Sequence, residues 1–133
     1  MRGSGWMLAI IMAALGLAEP ATARSVALAL VLAVDVSGSV NTERFELQRR
    51  GYAEAFTSRD VIDAIAAGEN HAIAVTLVEW SGSGHQRQMV GWTLLDNANA
   101  ATAFGSAVAE TPRAFSDWTS ISGAVDYAVA LFD

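Results

Sequence analysis

The chain has 133 residues, the size of one small domain, and 53 % of them are hydrophobic, which excludes the disordered class. Fourteen acids against eight arginines, with no lysine, give a net charge of −6 that repels phosphate backbones and argues against nucleic acid as a partner. The absence of cysteine excludes a disulfide framework and a thiolate metal site, so stability has to come from packing or a bound ion.

Arg2 followed by the eleven-residue apolar run Met7 to Leu17 and the small residues Ala21-Thr22-Ala23 has the order of a secretory signal peptide cut after Ala23. A membrane anchor needs about 20 apolar residues, and Glu19 and Pro20 interrupt the run before that. Residues 1–23 are therefore expected to be a leader and residues 24–133 a mature chain in the periplasm or secreted, with no membrane span after cleavage.

Val26 to Val34 (VALALVLAV) is nine apolar residues without alternation, the pattern of a parallel strand covered on both faces. From Asn41 or Thr42, both good caps, a helix starts whose inner face carries Phe45, Tyr52 and Phe56. Ser58 caps a shorter helix with Val61, Ile62 and Ile65, ended by Gly68. His71 to Trp80 is the second strand. Ser81-Gly82-Ser83-Gly84 turns into a third, exposed strand over Gln88 to Thr93, and so short a link permits only an antiparallel hairpin. Asn97 to Ala109 reads as a helix closed by Pro112, and Ser116 to Asp133 as hydroxyl caps followed by an amphipathic helix through Val125, Val129 and Phe132. Strand, helices, strand, hairpin strand and helices make an open wound, Rossmann-like α/β sheet, in which ligands bind beyond the carboxyl ends of the strands.

Asp35, Ser37 and Ser39 stand at that end of the first strand, in the motif D-x-S-x-S. A carboxylate with hydroxyls is a hard-oxygen donor set, suited to Mg²⁺, Mn²⁺ or Ca²⁺. The same residues also allow a plain reading, with Ser39 or Asn41 capping the helix and Asp35 bonded to nearby amides. A phosphate-cradling loop would need a lysine, which the chain lacks. An aspartyl phosphotransferase would carry a second acid where Ser37 stands.

In order along the chain, "DVSGSV", "LQRRGYAEAF", "AIAVTLVEWSG" and "TSISGAVDYA" resemble the von Willebrand factor A domain, in particular a secreted bacterial branch of it with no assigned activity. The resemblance spans residues 26 to 133. It implies a metal-ion-dependent adhesion site in which Asp35, Ser37 and Ser39 form the first loop and Thr119 the second, with Ser120 free to cap the helix. It also implies a divalent cation, Mg²⁺ first with Mn²⁺ or Ca²⁺ as alternatives, and a protein partner whose carboxylate completes the coordination shell. The family's third loop supplies an aspartate after a fourth strand. This chain ends at Asp133, within the helix expected before that strand, so the resemblance is to the N-terminal part of such a domain. Residues 24–133 are then expected to be a partial domain with about three strands in the order 3-2-1, strand 3 being an antiparallel edge.

The competing class is a secreted serine hydrolase, with Ser37 or Ser81 as nucleophile and His71 or His85 as base. The G-x-S-x-G elbow is missing, and a binding module rather than an enzyme is expected. Trp80, Trp92 and Trp118 are expected to pack at the core or its rim rather than to form a partner surface. Arg49-Arg50 reads as a solvated face, and Glu79 as either a buried acid or a solvent-facing one.

Overall fold

A computed structural model of the chain describes residues 24–133, so the expected leader, residues 1–23, lies outside the described residues. The described chain is an α/β fold built on a three-stranded mixed sheet in the order β1-β2-β3. Strand β1 (Leu28–Asp35) pairs in parallel with β2 (Ile73–Trp80), which pairs antiparallel with β3 (Gln86–Leu95). The sheet therefore has the expected strand order, with β3 as an antiparallel edge, and the register sets Asp35 opposite Trp80.

Local chemistry accounts for the helices. Helix α1 (Thr42–Thr57) starts where the Asn41 side chain accepts the Arg44 N–H, and α2 (Arg59–Ala67) where Ser58 accepts that of Val61. Helix α3 (Ala98–Glu110) is capped by Asn97, and α4 (Ile121–Ala130) by Ser120. Each cap satisfies a first-turn N–H that the helix itself cannot.

The core lies between α1, α3 and the sheet. Val34, Phe45, Phe56, Val75, Leu77, Leu95, Phe104 and Val108 form one buried cluster. Phe56 meets Phe104 edge to face, with ring centroids 4.8 Å apart. Helices α1 and α3 come so close at Gly105 that a Cβ there would stand 2.7 Å from the Ala53 carbonyl oxygen, a contact only glycine avoids.

Three expectations need correction. Strand β1 is not covered on both faces. Leu28 is 50 % exposed and most of the strand is only half-buried, because β1 is an edge with a hydrogen-bonded neighbour on one side only among the described residues. The strand buried throughout its second half is the central one, β2. Strand β2 also begins at Ile73, not at His71, which adopts a left-handed φ of 51° that ends the preceding turn. Finally, the apolar stripe of α4 stays in solvent: Ile121, Val125, Val129 and Phe132 are all exposed, and Ala124 is the helix's buried residue.

Candidate functional site

Strand β1 ends at Asp35, and the chain turns at once. The Ser37 N–H donates to Asp35 Oδ1 at 2.8 Å, and Val36 keeps the sheet ladder for one more bond, to the Trp80 carbonyl. This local turn holds the carboxylate over the loop while engaging one of its two oxygens. Ser37 is buried, and its Oγ lies 3.3 Å from Ser39 Oγ. Asn41, not Ser39, caps α1, so the Ser39 hydroxyl is left free of that duty.

The second loop, residues 111–120, arrives from α3 and lies against the first. Gly38 donates its N–H to the Asp117 carbonyl at 2.7 Å, and a Cβ on Gly38 would stand 3.2 Å from the Ser116 oxygen. Glycine at this position is what lets the two loops touch. Between them opens a cleft of about 550 Å³ lined by Gly38, Ser39, Ser116, Asp117, Trp118 and Thr119. The cap of α4 falls to Ser120, whose N–H also reaches the Ser81 carbonyl, so Thr119, which lines the cleft, is free of the capping role. Of the four residues expected to ligate, Ser39 and Thr119 line the cleft, while Ser37 and Asp35 are not among its lining residues: the buried Ser37 hydroxyl contacts that of Ser39, and Asp35 accepts the Ser37 N–H. Among the described residues no group of three His, Cys, Asp or Glu side chains is placed to hold a metal; besides Asp35 at the end of β1, the cleft wall carries the acid Asp117, whose Oδ2 lies 3.0 Å from His85 Nδ1.

Sequence reasoning missed the residues that join the loops. The Arg113 guanidinium donates through Nη2 to the carbonyls of Val36 (2.7 Å) and Ser37 (2.9 Å), and through Nε to Phe115 (2.8 Å). It packs over the Phe45 ring at 5.5 Å. Glu79 is 2 % exposed and accepts the Ala114 N–H at 2.7 Å. Burial pushes its carboxyl above the ordinary glutamate value, opposed by that N–H and by the guanidiniums of Arg113, Arg49 and Arg87. Of the two readings open for Glu79, the buried one holds. Arg49 is not a solvated face: it reaches the Thr111 carbonyl at 2.9 Å at the start of the same loop. An apolar strand ending in a lone acid was the available signal for Glu79, whereas nothing local marks Arg113.

The histidine rings bond elsewhere than to the hydroxyls of the serines considered as nucleophiles, although the Ser81 N–H donates to the His85 carbonyl. His71 Nδ1 contacts the Ala66 carbonyl, and His85 Nδ1 sits 3.0 Å from Asp117 Oδ2 while its ring stacks on Phe115. Ser81 is fully buried, with its Oγ unpartnered. The core or rim packing expected of the tryptophans holds for Trp80, which is buried, and for Trp92, which lies against Phe132 with its N–H on the Leu131 carbonyl, but not for Trp118, which is 89 % exposed on the cleft wall.

The chain is thus an open α/β fold with a cleft at the carboxyl ends of its two parallel strands. Residues 25–133 match the model of the family described as "Protein of unknown function (DUF1194)", and the chain belongs to that family. No curated protein and no solved structure matches it. No helix among the described residues is long and apolar enough to cross a membrane.

Proposed function

We propose that the chain is a divalent-cation-dependent protein-binding module of the von Willebrand A type, acting in the periplasm or outside the cell, and not an enzyme. One observation carries the reading: Ser39 and Thr119, from two loops distant in sequence, line one cleft, and the Ser37 hydroxyl lies 3.3 Å from that of Ser39. The donor chemistry fits the ion, since one carboxylate and three hydroxyls are hard oxygens of the kind Mg²⁺, Mn²⁺ and Ca²⁺ accept. Asp35 would supply the charge, and Ser37, Ser39 and Thr119 neutral donors. A cation bound there provides a Lewis-acidic position that a carboxylate of a protein partner can complete. Because a single carboxylate leaves most of the ion's charge uncompensated, the affinity is weak. The engagement of both histidines away from Ser37 and Ser81 supports binding over hydrolysis.

Calorimetric titration with MgCl₂ and MnCl₂ tests the proposal. The wild-type chain should show a weak saturable heat that Asp35→Ala abolishes. Identical titrations of the two proteins would remove the cation from this site.

A further inference from the structure

Two loops that touch only through short polar contacts need something beneath them to keep their spacing. Backbone carbonyls at a turn are free to rotate outward to water, and the Gly38 to Asp117 bond is a single contact across the seam. Arg113 lies under that seam. A guanidinium is a planar fork with several N–H donors in fixed directions. Here one nitrogen grips two successive carbonyls of the first loop, Val36 and Ser37, while Nε holds Phe115 of its own loop. The fork is seated on the Phe45 ring of α1, part of the buried core. The backbone next to it is fastened in turn, because the buried Glu79 carboxylate at the end of β2 accepts the Ala114 N–H. A chain of contacts therefore runs from the central strand through Glu79, Ala114 and Arg113 to the carbonyl of Ser37, the residue whose hydroxyl meets Ser39.

We infer that Arg113 and Glu79 are positioning residues for the cleft: they touch no ligand, and they set the separation of the Asp35–Ser39 loop from the loop that carries Thr119. The role of the cleft rests on the cation-site reading above, but the loop cross-link itself is independent of any ion. Charge alone would not perform it. A lysine offers three donors, but all on one nitrogen at the end of a flexible stem, and cannot reproduce the separate, fixed positions of Nε and Nη2.

The test compares wild type with Arg113→Lys, which keeps the charge and removes the fork. Without metal, amide hydrogen exchange at Gly38 should accelerate at least tenfold in Arg113→Lys, with the amides of β2 and the urea midpoint unchanged. Mn²⁺ affinity, read by the electron paramagnetic resonance of the free ion, should fall by a similar factor. Unchanged exchange at Gly38 overturns the inference. If Arg113→Lys does not fold, Glu79→Leu, which removes the acceptor of the Ala114 N–H, decides: faster exchange at Gly38 with intact β2 protection supports the cross-link, and wild-type exchange there overturns it. A wild-type chain that binds no Mn²⁺ defeats the cation-site reading alone, since the exchange result stands without the ion.

Discussion

Helices α3 and α4 are both short and rich in alanine, yet one is part of the core and the other is not. Ala101, Phe104, Gly105 and Val108 of α3 are buried against α1 and the sheet, while Ile121, Val125 and Val129 of α4 face solvent. The difference lies in what stands opposite. Helix α3 meets α1 at backbone contact distance over Gly105, and the two close over the same face of β2 and β3. Helix α4 is held at its ends, by the Ser120 to Ser81 bond and by Trp92 against Leu131 and Phe132, and Ile121, Val125 and Val129 between them stay exposed. Edge strand β1 shows the same feature, with Leu28 half exposed. An apolar stripe records a demand for cover, and the neighbours decide whether it is met.

The sharpest way to break this comparison is to truncate one residue on each side. Phe104→Ala removes a ring that is 1 % exposed and should cost about 3–5 kcal/mol, the range for a large aromatic deleted from a packed core. Val129→Ala, at a residue 59 % exposed, should stay within about 0.5 kcal/mol. Urea denaturation measures both, and comparable losses would mean that α4 is covered in solution.

The covered side also holds a buried acid, and its effect is of intermediate size. Because the folded state raises the Glu79 carboxyl above its unfolded value, the folded chain binds that proton more tightly. The stability it contributes is present below the unfolded value and is lost as pH rises through the folded one. Glu79→Gln keeps an acceptor for the Ala114 N–H without the charge, so it should gain stability relative to wild type as pH rises across that window. Urea midpoints at several pH values check this, and a constant difference between the two proteins would contradict it.

The smallest effect on folding, yet a visible one on association, belongs to the uncovered side. An unprotected strand edge whose side chains are apolar until Asp35, together with the α4 stripe, favours contact between copies of the chain. Light scattering should show a mass that rises with concentration, and Val31→Lys combined with Val129→Glu should suppress the rise. A wild-type monomer at all concentrations, with β1 amides strongly protected, would show that this edge is closed by other means.

What the sequence by itself determined is what a few neighbouring residues can decide. Asn41, Ser58, Asn97 and Ser120 announce their helices because a capping side chain reaches an N–H three residues on. The Ser81–Gly84 link dictates an antiparallel hairpin because nothing so short can return a strand in parallel. Asp35, Ser37 and Ser39 are legible as a donor group for the same local reason. Only the tertiary structure decided that Thr119 would share a cleft with Ser39, that Arg113 would bridge the two loops, and that Glu79 would be sealed beneath them. It also decided that the faces of β1 would be only partly covered, although its place at the edge follows from the expected strand order. These outcomes depend on which surfaces meet after the chain has closed, and the energy of such contacts lies between residues too far apart in sequence to leave a pattern in either one.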